Sequence, residues 1–302
     1  MATIIFTILL LHILQGTGVS AAKFTFVNKC SHTIWPAVLG SPALETTGFE
    51  LPAGGSRALA APAGWSGRFW ARTGCSFDAA GRGSCTTGDC ASGRMECGGA
   101  GATAATLVEF TLGSSMDFYD VSLVDGYNLP VMIDARGGTG QCASTGCAAD
   151  LNERCPAELR AGGGGACRSA CDAFGTAEYC CKGEYGSPAA CKPSAYAQAF
   201  KSACPKSYSY AYDDATSTFT CAGGDYVITF CPSQPSQKSS RSKDGSESGS
   251  GSVGETVLSD GSWLANLATG HTSRTYTFDV TLHGLVIVAA VVHVAAKLVP
   301  QL

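Results

Sequence analysis

Histidine is nearly missing where it would matter. The chain holds five, but only His32 falls within the segment that bears the cysteines, Cys30 to Cys231. A Ser-His-Asp or Cys-His mechanism would have to be built on that residue, and no G-x-S-x-G elbow accompanies it. His32 therefore reads as a surface or strand-end side chain. Charge is scarce too: charged residues make up 15% of the chain, and the net charge is −4. With no basic stripe to neutralise phosphates, a nucleic-acid partner is not expected. No two cysteines stand at C-x-x-C spacing, which together with the shortage of histidine argues against zinc; neither a metal nor a cofactor is expected. The glycines at 162–165 lack the Lys-Ser/Thr of a phosphate loop and read as a turn.

What the chain has is cysteine, glycine and apolar residues. Its 302 residues include 16 Cys and 38 Gly, and 45% are hydrophobic. An even cysteine count at this density fits an oxidising compartment and a disulfide framework. The N-terminus agrees, with an apolar run over residues 4–14 and small residues at Val19, Ser20, Ala21 and Ala22, so residues 1–22 read as a cleaved signal peptide. After Pro232 the composition changes to Ser, Gly and charge, so residues 233–270 read as a linker or stalk. The last segment, 271–302, is mostly apolar but interrupted by His283, His293 and Lys297. It fits a GPI-attachment propeptide better than a membrane span, with Ala268, Thr269 and Gly270 as small residues, a polar spacer and then the apolar end. Gly270 and Ser273 are candidate attachment positions. The expected location is extracellular, in the apoplast, or the outer leaflet of the plasma membrane through a lipid anchor.

Between these ends, residues 23–232 form one domain. Short alternating segments at 24–27, 68–72, 107–112, 118–124 and 226–230 are separated by Gly, Pro and Asn, the pattern of a β-sandwich or barrel. Residues 142–204 differ: nine cysteines and little periodicity predict a disulfide-clamped lobe with short helices near 153–160 and 196–203. Tyr208, Tyr210 and Tyr212 alternate as a strand face would. Trp65 and the exposed tyrosines are candidates either for stacking on sugar rings or for the core.

The densest motif is GRGSCTTGDC, residues 81–90, followed by Gly93 and Cys97. Three cysteines around a Thr-Gly-Asp at set spacing closely resemble the signature of the thaumatin-like family of plant pathogenesis-related proteins, the osmotin and zeamatin type. Supporting stretches are GRFWARTGC at 67–75, DFYDVSLVDGYNLP at 117–130, CPAELR at 155–160, Tyr179-Cys180-Cys181 and TSTFTC at 216–221. The resemblance covers 23–232 and implies a mainly β fold, a flattened antiparallel β-sandwich with a disulfide-rich lobe of loops and short helices. Sixteen cysteines allow about two million pairings, but the family's order implies eight: Cys30–Cys231, Cys75–Cys85, Cys90–Cys97, Cys142–Cys221, Cys147–Cys204, Cys155–Cys167, Cys171–Cys180 and Cys181–Cys191. A monomer resistant to heat, acid and proteases is expected.

Carboxylates are the chemistry that remains. Glu109 shares a strand face with Leu107 and Thr111; Arg68 and Arg72 share one with Trp70. Asp120 and Asp125 have opposite parity, so at least one lies past a strand end or a bulge. The resemblance implies an acidic cleft between core and lobe formed by Arg68, Glu109, Asp120, Asp125 and one of Asp213 and Asp214, with Arg72 an alternative to Arg68. The expected role is defence-related binding of β-1,3-glucan or of fungal cell-wall or membrane components. The alternatives are an endo-β-1,3-glucanase, with Glu109 as acid and Asp120 or Asp125 as base or nucleophile, and a wall or signalling scaffold with a protein partner.

Overall fold

The computed structural model describes residues 22–232 apart from 100 and 103. The expected signal peptide lies outside the described residues except for Ala22, the first residue of the first strand, and the expected stalk and GPI propeptide lie wholly outside them.

Nine strands make one curled sheet. They are β1 (Ala22–Asn28), β2 (Trp35–Ser41), β3 (Ser56–Ala61), β4 (Ser66–Arg72), and, after the short hairpin β5 (Ser76–Phe77) and β6 (Gly83–Ser84), β7 (Leu107–Thr111), β8 (Asp117–Ser122), β9 (Val131–Thr139) and β10 (Thr145–Cys147). A second short hairpin, β11 (Arg160–Ala161) and β12 (Ala166–Cys167), precedes the long β13 (Phe219–Phe230). β13 folds the sheet over: its start pairs with β8, and the rest lies between β9 and β1. One layer is therefore β2-β4-β7-β8 and the other β3-β1-β13-β9-β10, with apolar side chains meeting between them. Phe24 of β1 meets Phe69 of β4 at 4.9 Å and Phe110 of β7 at 4.6 Å between ring centroids. Tyr226 of β13 meets Phe110 at 4.7 Å. Edge-to-face aromatic pairs of this kind add to the area they bury.

The sandwich is antiparallel except at one seam, where β1 and β13 run parallel. Parallel neighbours finish at the same end of the sheet, which brings Cys30 and Cys231 together just beyond them. All eight pairs implied by the cysteine order are the disulfides of the structure. The lobe has its own small core of Leu123, Tyr127, Leu151, Leu159 and Phe200 around the Cys147–Cys204 and Cys155–Cys167 bridges. Three short helices complete it: α1 (Ala170–Phe174), α2 (Ala195–Ala203) and α3 (Asp214–Ser217). α1 and α2 are capped by Ser169 and Ser194, whose hydroxyls accept the N–H of Asp172 and Ala197, filling donors that a helix start leaves open.

Several local expectations are corrected. β8 ends at Ser122, so Leu123 and Val124 leave the sheet. The helix expected near 153–160 is two 3₁₀ turns, Asn152–Arg154 and Ala157–Leu159, parted by Pro156, whose ring restrains the residue before it from helix. The TSTFTC stretch, read from the sequence as a strand over 216–221, is split: Thr216 and Ser217 belong to α3 and the strand begins at Phe219. Tyr208 makes one isolated bridge to Ser122, and the run 208–212 is not a strand. Trp65 is fully buried and stacked on Phe69, a core residue out of reach of any sugar.

Candidate functional site

The register of three adjacent strands lines up three charged side chains. Arg68 of β4 stands opposite Glu109 of β7, and Glu109 opposite Asp120 of β8. Directly opposed residues of an antiparallel pair have Cβ atoms about 4.5–5.5 Å apart, so Arg68, Glu109 and Asp120 form one row across the sheet. All three are buried. The Arg68 Nη1 lies 4.0 Å from Glu109 Oε1 and 3.6 Å from Asp125 Oδ2. Asp125 reaches the row from the turn after β8, which explains its parity. That turn requires glycine at the next position: Gly126 has φ +105°, and a Cβ there would lie 2.7 Å from the Cys167 carbonyl oxygen. The resulting close approach ties the Asp125 turn to the lobe, where the Tyr127 and Cys167 N–H groups each donate to the other's carbonyl.

Of the two candidate arginines, Arg68 faces the acids. The fully buried Arg72 is committed elsewhere, donating to the carbonyl oxygens of Trp35, Arg94 and Met95. It holds the signature loop, which also rests on Trp70: the indole N–H donates to Gly88 O at 2.8 Å. Asp89 of that loop accepts the N–H groups of Cys85 and Ala91. The most family-specific motif thus braces the far end of β4, on the same strand face as Arg68 but with no member in the charged row.

Asp213 and Asp214 divide in the same way. The Asp213 carboxylate accepts the Ser209 N–H and hydroxyl, each at 3.0 Å, and Lys201 Nζ at 2.9 Å. It is a clamp within the lobe. Asp214 instead bears on Asp120 electrostatically and accepts the Tyr208 hydroxyl at 2.9 Å. Asp120, Glu109, Arg68, Asp125 and Asp214 form one electrostatic group; Asp213 and Arg72 do not belong to it. Sequence reasoning missed Lys201 and read Tyr208 only as part of a strand face, because one clamps Asp213 and the other places Asp214 through folding rather than through a motif.

Burial governs the chemistry. Loss of solvent pushes Glu109 up to about 7, with Arg68 opposing and Asp125 adding to the shift. Asp120 is raised well above the usual carboxylate range by burial first, then by Glu109 and Asp214. Asp125 is pushed up to about 6 by burial, partly offset by Arg68 and Lys182 and reinforced by Asp172. Glu109 Oε1 and Asp120 Oδ1 accept no hydrogen bond from the protein. Two buried, like-charged groups this close favour a proton over full ionisation. Access is uneven: the Asp125 side chain is 30% exposed, against 5% for Glu109. Beside Asp125 a pocket opens towards the lobe, lined by Glu178, Lys182, Lys192, Tyr179, Tyr196 and Tyr210 among others.

A two-layer β-sandwich with a disulfide-clamped lobe and an acid-lined cleft beside it defines a class of mainly β, disulfide-stapled protein. Within that class the chain belongs to the thaumatin family, whose model matches residues 28–232. It is 60% identical to "Thaumatin-like protein 1" of Arabidopsis thaliana over 77% of this chain and 94% of that protein. It is also 60% identical to "Pathogenesis-related thaumatin-like protein 3.5" of Cryptomeria japonica, over 70% of this chain and 91% of that one. A Prunus avium relative called "Glucan endo-1,3-beta-glucosidase" is 51% identical over 74% of this chain and 95% of its own length. Eight disulfides in one domain fit an oxidising, extracellular setting.

Proposed function

We propose that the protein is a defence-related binder of β-1,3-glucan, or of fungal wall or membrane components carrying such chains, acting as a monomer through the cleft beside Asp125. The reading rests on one observation above all: among the cleft carboxylates, Asp125 is partly open to solvent while Glu109 lies behind it, buried. An open, partly protonated carboxyl can hydrogen-bond a neutral sugar as donor or acceptor, and the buried acids behind it keep the cleft floor polar. A name carried by the Prunus avium relative points to the same polymer class.

Hydrolysis is the second reading, favoured by the elevated Glu109 and Asp125 carboxyls, since a general acid must hold its proton near working pH. Arg68 Nη1 lies 4.0 Å from Glu109 Oε1 and 3.6 Å from Asp125 Oδ2, so one cation draws both carboxylates to the same point. Against it, the candidate acid Glu109 is buried. Reducing-sugar release from laminarin, measured for the wild type and for Glu109→Ala alongside binding, separates the readings. Binding without turnover supports the binder; turnover that Glu109→Ala abolishes establishes the enzyme; no binding to laminarin defeats both. Tethering is part of the proposal and has its own test: phosphatidylinositol-specific phospholipase C is expected to release the protein from membranes.

A further inference from the structure

Three aromatic rings gather on the lobe, away from the sandwich core. Phe174 ends α1, Tyr179 precedes the Cys180-Cys181 pair, and Tyr196 lies in the first turn of α2. Ring centroids are 5.5 Å apart for Phe174 and Tyr179, 5.6 Å for Phe174 and Tyr196, and 6.1 Å for Tyr179 and Tyr196. Phe174 is 42% exposed; with Met116 it is one of two exposed large apolar side chains among the described residues. Phe174 stays exposed although it packs on two tilted rings, and exposed apolar patches mark contact sites.

The cluster is held rigidly. Cys171–Cys180 and Cys181–Cys191 bracket the segment that carries Phe174 and Tyr179. The Tyr196 hydroxyl donates to Glu158 Oε1 at 2.8 Å. Rings fixed in advance lose little freedom when a ligand lies on them. Tyr179 and Tyr196 also line the pocket that includes Asp125, so two of the rings border the same cavity as the cleft carboxylate.

We infer that Phe174, Tyr179 and Tyr196 form an outer stacking subsite for an uncharged hexose polymer whose other end lies against Asp125. This rests on the glucan-binding reading above and extends the footprint beyond the acid group. Charge and size select the occupant. The pocket wall sets Asp125 and Glu178 against Lys182 and Lys192, two charges of each sign, which suits a neutral polyhydroxyl chain better than an ionic one. The exposed apolar surface is essentially Phe174, far short of the apolar core of a stable protein interface. A sugar ring, with one apolar C–H face and a polar rim, matches an aromatic ring flanked by charged and hydroxyl groups.

Calorimetric titration of the full-length protein with laminaritriose and laminarihexaose tests the inference. The wild type is expected to bind the hexaose more tightly. Phe174→Ala loses about tenfold in hexaose affinity, the size of a single hot-spot contact, with triose affinity unchanged, and Tyr196→Ala loses hexaose affinity by a similar factor. Tyr196→Phe, which keeps the ring and loses the bond to Glu158, retains the hexaose gain. Phe174→Leu keeps the packing volume without the aromatic face and loses the gain, so a poorly folded alanine variant leaves the question decidable. If the wild type binds both sugars and the ring variants bind the hexaose equally well, the subsite is overturned while the cleft reading stands. If the wild type binds neither, both fall. Concentration-dependent association of the protein that Phe174→Ala dissolves, with no change in sugar affinity, would assign the rings to a second copy and overturn the inference.

Discussion

Glu109 shows how a residue's surroundings set its chemistry. On a strand in water it would be an ordinary carboxylate; between Arg68 and Asp120, with almost no exposure, it holds its proton up to about pH 7. The linkage has a definite sign. An acid whose pKa is higher folded than unfolded binds more protons in the native state, so stability falls as pH rises through that interval. The contribution is intact below the ordinary carboxylate range near pH 4.5 and is lost towards pH 7, with Asp125, pushed up to about 6, acting in the same direction. Thermal melts should therefore show a higher Tm at pH 4 to 5 than at pH 8, each kcal/mol amounting to roughly 2–4 °C in a domain of this size. Glu109→Gln should flatten that slope; an unchanged slope would show that Glu109 does not carry it. Lys201 makes the second prediction at this scale. Its ammonium meets Asp213, the Ser207 carbonyl and the Ser217 hydroxyl. Lys201→Met should cost about 1–3 kcal/mol in denaturant unfolding, the usual worth of hydrogen bonds to a charged group. It should also weaken glucan binding, by loosening Asp214 next to the clamp.

At the scale of elements, the Asp125 turn and the signature loop do different work. The turn presents a side chain to the cleft and depends on a backbone conformation that other residues rarely adopt. Gly126→Ala combines a strained φ of +105° with a Cβ 2.7 Å from a carbonyl oxygen and 2.8 Å from the Ala104 Cα. We expect a loss of more than 1 kcal/mol and a fall in laminarin affinity greater than an equally destabilising core variant produces. Equal falls would mean the turn matters only for stability. The signature loop is structural. Gly88 has φ +66°, and a Cβ there would press on Ala71 O at 2.8 Å. Most of the strands bordering the site were legible in the sequence because they alternate in polarity: β4, β7 and β8 could be placed, although β8 ran two residues too far. The 3₁₀ turns and the 208–212 segment were not legible, because disulfides and a proline, rather than periodicity, shape them.

For the whole molecule, covalent closure sets the limits of unfolding. Cys30–Cys231 spans 201 residues and joins the ends of β1 and β13, the parallel seam of the sandwich. Its removal by Cys30→Ser with Cys231→Ser should lower stability by about 2–4 kcal/mol, read as a fall in Tm. The intact domain should resist trypsin for hours and be cut rapidly once reduced; rapid cleavage of the unreduced domain would contradict the framework's role.

Composition and motif spacing by themselves pointed to an oxidising setting, to the resemblance carried by residues 81–97 and to carboxylates as the side chains to examine, because residue types and covalent pairing potential are local properties. Strand parity also put Glu109 on one face and showed that Asp120 and Asp125 could not share a regular strand. Parity could not choose between Arg68 and Arg72, which point the same way from one strand, or between Asp213 and Asp214, which are neighbours. Those choices were made by what the folded chain brought against each side chain: carbonyl groups of the signature loop around Arg72, Glu109 and Asp125 beside Arg68, the Lys201 clamp on Asp213, and Asp120 facing Asp214. Ionisation was decided there too, because it depends on solvent exclusion and on the distance between charges, and both exist only after the sheet has curled and the lobe has closed against it.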